Sequence, residues 1–212
     1  MSQQPLYTPE IFNQQTLEGA RNIILTAESG KSADERWGLE TAWLAGILKQ
    51  ALPTQNYLTL DFGCGVGRMS KALIEAGHYV QGLDISQEMR VHAMQAGLGD
   101  QFSAISPAML DKSTSSGLRF DLALSVWVLQ HCPNLEIEVS RIYNALRPGG
   151  VLFVVDMNHR AIPTNQGWVA DGKNVFDVIS TCFELIQKLP FNFPGAPEDL
   201  QKSAWLGFFR KK

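Results

Sequence analysis

The chain has 212 residues, 18 Lys and Arg against 21 Asp and Glu for a formal charge of −3, and 45% apolar residues. That length supports one domain with its own core and excludes a second full one, and the lack of a cation-dense run beyond Arg210-Lys211-Lys212 argues against nucleic acid as a partner. Met1-Ser2-Gln3-Gln4-Pro5 lacks the charged start of a secretory leader, and no apolar run approaches the roughly 18 residues of a membrane span, so a cytoplasmic protein is expected. Cys64, Cys132 and Cys182 are too widely spaced for a disulfide framework or a zinc site, and His78, His92, His131 and His159 are scattered, so no metal is expected.

The first 55 residues read as a helical extension, with helices near 8–28 and 35–51, that could serve as a substrate lid; residues 56–212 form the main domain. From 57 to 156 apolar strand-length runs alternate with helix-period segments, which implies a parallel sheet covered on both faces. Tyr57 to Phe62 reads as the first strand, and Met69, Ala72, Leu73 and Ala76 mark a helix closed by Gly77. Tyr79 to Asp84 is the second strand, and Ser86 caps a helix over 87–96. A short third strand lies near 101–105. The polar tract Lys112 to Gly117 reads as a loop, having turn composition and no apolar face.

Phe120 to Val126 is a buried strand, Leu135, Val139, Ile142 and Leu146 mark the next helix, and Arg147-Pro148-Gly149-Gly150 turns the chain into a strand over 151–156. Beyond 157 come an irregular stretch, a short helix after 173, and strand-like segments at 183–187 and 203–209. Their link carries Pro190, Pro194, Gly195 and Pro197, which suits a long hairpin-like connection between antiparallel strands.

The sharpest local signal is Leu60-Asp61-Phe62-Gly63-Cys64-Gly65-Val66-Gly67, a glycine-rich turn at the carboxyl end of a strand, where open α/β sheets bind ligands. Asp84 ends the next strand, where a carboxylate can accept hydrogen bonds from both hydroxyls of a ribose. A dinucleotide fingerprint would need a glycine where Arg68 stands, and a triphosphate loop would need Gly-Lys-Ser/Thr.

Together with Val80 to Asp84, Phe120 to Val126 followed by Leu129-Gln130-His131, and Leu146 to Gly150, this turn resembles the class I S-adenosylmethionine-dependent methyltransferases, in particular the small-molecule branch with ubiquinone/menaquinone-biosynthesis-like domains. The likeness covers residues 57–156. It implies a Rossmann-like α/β sandwich with a seven-stranded sheet in the order 3-2-1-4-5-7-6, strand 7 antiparallel. The same resemblance implies S-adenosylmethionine as cofactor, S-adenosylhomocysteine as product and a small molecule as methyl acceptor.

By that resemblance the backbone of Gly63, Cys64, Gly65 and Gly67 lies against the methionine portion, with Asp61 near its ammonium group. Asp84 holds the ribose, Ile85 and Met89 meet adenine, and Ser125 or Val126 lines the wall. The acidic residue that the family often directs at the adenine amino group is replaced here by Ser106-Pro107-Ala108, and Ser106 can accept only a weaker, neutral hydrogen bond. His131 follows the fourth strand on the ligand edge and is the candidate base, against a purely structural role in orienting the next helix. Trp37, His159 and Trp168 are candidate substrate contacts. A nicotinamide-dependent oxidoreductase and a non-catalytic nucleoside-binding module are the alternatives.

Overall fold

The computed structural model describes residues 5–27, 31–52 and 56–212, so the far end of the expected 8–28 helix and parts of the 1–55 extension lie outside the described residues. Five strands, β1 (Leu58–Phe62), β2 (Tyr79–Leu83), β3 (Phe102–Ile105), β4 (Phe120–Val126) and β5 (Leu146–Met157), run parallel in the order β3-β2-β1-β4-β5. A two-stranded hairpin of β6 (Ile162–Thr164) and β7 (Gly167–Val169) stands apart, and β8 (Phe183–Pro190) and β9 (Ala204–Lys211) complete the large sheet. β9 lies antiparallel between β5 and β8. The order β3-β2-β1-β4-β5-β9-β8 is the expected 3-2-1-4-5-7-6 once the small hairpin is counted.

The central strands read as unbroken apolar runs because both faces are covered. Alternate residues serve opposite sides: Leu122 and Leu124 join a core with Leu44, Leu73, Phe153 and Leu206, whereas Ala123 joins Leu60, Ile142, Leu152 and Val154 on the other face. The helices are α1 (Leu17–Ile24), α2 (Ala33–Ala51), α3 (Arg68–Glu75), α4 (Gln87–Gln95), α5 (Pro107–Ser115), α6 (Leu135–Ala145), α7 (Val175–Cys182) and α8 (Glu198–Ser203). α2 starts with a reciprocal cap, in which Ser32 Oγ accepts from Glu35 N while Glu35 accepts from Ser32 N.

Three local expectations need correction. The polar tract expected as a loop is largely the last part of α5, which starts at a Ser106 cap and Pro107, and whose residues other than Leu110 are not fully buried, so its apolar periodicity is faint. The helix expected over 8–28 is instead a short 3-10 turn, Pro9–Phe12, and the separate helix α1, restarted by Thr16, whose Oγ1 accepts from Gly19 N at 3.1 Å. The proline-rich link before β9 contains α8 in its second half.

Among the described residues no helix is long and apolar enough to cross a membrane. The amino-terminal segment returns to the domain through backbone pairing. Tyr7 bridges Thr164, Thr8 N donates to Pro163 O at 3.1 Å, and Asn165 N donates to Leu6 O at 2.9 Å, so this segment lines up beside the β6–β7 hairpin.

Candidate functional site

Between β1 and α3 the chain turns through Gly63, Gly65 and Gly67 with φ of 78°, 53° and 84°. A Cβ at Gly63 would stand 2.3 Å from Val128 Cγ2 and 3.0 Å from its Cβ, so a side chain there is excluded by space as well as by backbone conformation; at Gly65 the near atom, Ile24 Cδ1 at 2.5 Å, ends a flexible side chain, and the positive φ is the main bar. Cys64 turns the other way, into the sheet, where its Sγ would be 2.7 Å from a Cβ on Gly82.

Asp84 follows β2 and faces this turn. Its Oδ2 accepts from Gly65 N and its Oδ1 from Ser86 N, both at 2.9 Å. Burial pushes its pKa up, against the pull of those two backbone hydrogen bonds. Asp61, at the end of β1, is also buried; Ser70 Oγ donates to its Oδ2 at 2.6 Å, and burial raises its pKa to about 6.

A cavity of about 570 Å³ opens over these strand ends. Of the residues expected to meet cofactor, Gly63, Gly65, Asp84, Ile85, Met89, Pro107 and Val126 line it, and the expected substrate-side residues His131, His159 and Trp168 line it too. Asp61, Cys64, Gly67, Ser106, Ser125 and Trp37 are not in its wall. Ser106 is engaged in capping α5, with Met109 N donating to its Oγ at 3.4 Å, and Ser125 Oγ is buried without a hydrogen-bond partner.

Trp37 lies between two guanidinium groups, 4.7 Å from Arg21 and 5.6 Å from Arg68, and packs on the cluster of Ala20, Val66 and Met89. Its neighbour Arg36 reaches the cavity instead. Arg36 donates to Thr26 O at 2.8 Å and pairs with Glu40 at 3.3 Å. Glu40 is fully buried and also takes Arg68 at 3.0 Å and Trp127 Nε1 at 2.7 Å.

The rest of the wall includes Tyr7, Phe12, Trp127, Val128 and Glu138, which the sequence did not mark, and Gln130, which it marked only within a motif. Phe12 and Trp168 flank the His131 ring at centroid distances of 6.0 and 5.2 Å. Burial holds the Tyr7 hydroxyl at a pKa of about 12 and lowers that of His131. Behind this wall Asp156 is wholly buried and accepts from Gln130 N at 3.2 Å and Met157 N at 2.8 Å, and burial lifts its pKa to about 7. Among the described residues no cluster of His, Cys, Asp or Glu could hold a metal ion.

Residues 60–154 match the family model described as a methyltransferase domain. A ubiquinone biosynthesis O-methyltransferase from Rhizobium etli is 30% identical over 114 residues, 52% of this chain and 45% of the relative. A malonyl-[acyl-carrier protein] O-methyltransferase from Enterobacter lignolyticus is 31% identical over 59% of this chain and 50% of its own length. The matched segments thus span about half of these relatives.

Among solved structures, magnesium protoporphyrin IX methyltransferase from Synechocystis PCC 6803, with bound SAM, aligns with a TM-score of 0.67 at 17% identity, covering 96% of this chain and 94% of the other. The N-methyltransferase NodS from Bradyrhizobium japonicum WM9, in complex with S-adenosylhomocysteine, gives 0.65 at 17% identity over 93% and 99%. The motif set and the matched segment of residues 60–154 both resemble a methyltransferase domain, and the chain as a whole shares the fold of these solved structures.

Proposed function

We propose that the protein transfers the methyl group of S-adenosylmethionine to a small molecule bound in the same cavity. The observation that carries this reading is that one cavity joins the bare backbone of Gly63 and Gly65 and the Asp84 carboxylate to an aromatic wall around His131 and Trp168. A cofactor and an acceptor can thus lie side by side.

The glycine turn suits the methionyl part because Gly63 and Gly65 bring backbone without side chains to the cavity wall. Asp84 closes the second strand, where its two oxygens, now held by Gly65 N and Ser86 N, can take ribose hydroxyls. Ile85, Met89 and Pro107 offer apolar surface for adenine, and Arg36 brings a cation to the cavity that suits the cofactor's carboxylate. Asp61 stands outside the cavity wall, where its carboxylate accepts from Ser70 in α3, and it would act on the cofactor's ammonium group only through its charge. When bound, S-adenosylmethionine would supply an electrophilic methyl carbon for in-line displacement by the acceptor atom, with the sulfur as leaving group. The chain's own task is alignment, since holding two reactants in line supplies much of the rate of such a displacement.

The alternatives separate by binding and turnover. Calorimetry with S-adenosylhomocysteine, S-adenosylmethionine and NAD should give saturable heat for the first two; stabilisation by NAD alone would overturn the proposal in favour of an oxidoreductase. Incubation with methyl-labelled cofactor and a broad panel of small hydroxyl, amine, thiol and carboxylate compounds should then yield a labelled product. Tight cofactor binding with no product across that panel would favour a non-catalytic binding module.

A further inference from the structure

We infer that Gln130 is the residue that recognises the methyl acceptor, by accepting a hydrogen bond from an O–H or N–H of that molecule on its side-chain oxygen, and that His131 positions it. This rests on the reading of the cavity as a methyl-transfer site.

The inference comes from the donor and acceptor arithmetic of three residues. His131 Nδ1 lies 2.6 Å from the carbonyl oxygen of Ala161. A carbonyl oxygen can only accept, so Nδ1 must carry the ring proton. In the neutral ring Nε2 is then a bare lone pair. Gln130 meets that nitrogen at 3.0 Å, and a lone pair calls for a donor, so the amide must turn its NH₂ to the ring. The third bond closes a cycle: Ala161 N donates to Gln130 O at 3.1 Å. The Gln130 backbone is held on its other side as well, where its N–H donates to Asp156 Oδ2.

Both ring nitrogens of His131 are therefore engaged, and neither is open to a substrate. The side-chain oxygen of Gln130 is different. Gln130 is in the cavity wall and only 7% exposed, and its Oε1 is buried with no hydrogen-bond partner. A buried acceptor left without a donor is rare in folded proteins and calls for a specific reason. Oε1 itself is closed off from solvent, so a donor on a molecule in the cavity that Gln130 lines reaches it after a small shift of the wall, and the cycle fixes which end of the amide is left over.

This selects an acceptor class. Alcohols, phenols, amines and amides carry the required hydrogen. A carboxylate has only acceptor oxygens at neutral pH and would set charge against the Gln130 oxygen. A thioether has no donor either.

The test uses the full chain and phenol as the donor probe, with anisole as the same ring lacking the hydrogen and benzoate as the carboxylate arm. In the presence of S-adenosylhomocysteine, phenol should bind about three- to tenfold tighter than anisole, the range expected of one net hydrogen bond, and benzoate should bind more weakly than phenol. Gln130→Leu should erase the preference for phenol over anisole while affinity for S-adenosylhomocysteine stays within about twofold. His131→Phe should erase it too, since the ring nitrogen that orients the amide is gone; a merely structural role of His131 would lower both ring affinities together. Independently of any variant's folding, long-range ¹H–¹⁵N spectra of the wild type should show the Nδ1–H tautomer of His131.

Equal affinity for phenol and anisole in the wild type, no binding of either ring, a preference that survives Gln130→Leu, or an Nε2–H tautomer would each overturn the inference. Failure to bind S-adenosylhomocysteine would instead overturn the underlying methyl-transfer reading, and the tautomer measurement would still decide the arrangement of Gln130 and His131.

Discussion

The two ends of the cavity are built in different ways. The glycine end is local: Gly63 and Gly65 are two residues apart, and Asp84 is joined to them through the β1–β2 pairing, which sets Asp61 beside Gly82 and Phe62 beside Leu83. The aromatic end is assembled from distant pieces. Tyr7 and Phe12 come from the amino-terminal segment, Gln130 and His131 from the turn after β4, and Trp168 from the β6–β7 hairpin. A short stretch of backbone pairing between residues 6–8 and 163–165 ties the first group to the last. Local backbone geometry leaves a mark in sequence spacing, whereas a wall made by docking separate segments leaves none.

The largest expected effect lies at the local end. In Gly63→Val a β-branched residue would have to adopt a φ of 78° with its Cβ 2.3 Å from Val128 Cγ2. Backbone strain and overpacking together should lower stability by about 2–4 kcal/mol, read from the urea midpoint, and S-adenosylhomocysteine binding should be lost. Wild-type stability with wild-type binding would show that the turn has room that the geometry denies.

Next comes Asp84→Ala. If Asp84 holds both ribose hydroxyls as proposed, its removal should weaken S-adenosylhomocysteine binding by roughly 1–3 kcal/mol in calorimetry. Unchanged affinity would refute the ribose role. The aromatic end should respond in the opposite sense. For Trp168→Ala, S-adenosylhomocysteine affinity should stay within about threefold while the KM of the acceptor found in the labelled-methyl panel rises about tenfold, because this half-exposed ring flanks His131 and contributes little to the core. Equal effects on both ligands would mean that the two ends are one site energetically.

That contrast explains what the sequence made legible. The parallel sheet and the antiparallel ending followed from apolar runs and turn residues, the strand order from the family resemblance, and the glycine turn and Asp84 from spacing along consecutive elements. Arg36 and Trp37 are neighbours in sequence, and Trp37 is the expected substrate contact of the two. The structure splits them, sending Arg36 to the cavity and clamping Trp37 between Arg21 and Arg68, because adjacent residues on α2 point about 100° apart. Tyr7 and Phe12 had no signal, since the segment holding them is joined by backbone hydrogen bonds that any side chains permit. The Gln130 and His131 pair was visible as a motif, but the role of each depends on the Ala161 carbonyl thirty residues away.

A smaller and more diagnostic effect is in the pH dependence. Each end has a buried carboxylate at a strand terminus: Asp61 with a pKa near 6 beside the glycine turn, and Asp156 with a pKa near 7 behind the aromatic wall. Both lie above the ordinary value of 3.8, so the folded chain holds these protons more tightly than the unfolded chain does. The stability each contributes is complete below that ordinary value and is lost as pH rises through the folded pKa.

Subtracting a variant that cannot titrate isolates one group. The unfolding free energy of the wild type minus that of Asp156→Asn should fall by about 2–4 kcal/mol between pH 4 and 8, and the same difference for Asp61→Asn should fall less and level off about one pH unit sooner. The order follows from the partners: Ser70 Oγ at 2.6 Å, the Ser70 backbone and the charge of Arg68 favour the Asp61 anion, whereas Asp156 has two backbone N–H groups and the charge of Arg160 to oppose complete burial. A flat difference for Asp156 would mean that it is ionised throughout, and its two backbone donors would then be sufficient to hold a full charge beneath the wall that Gln130 occupies.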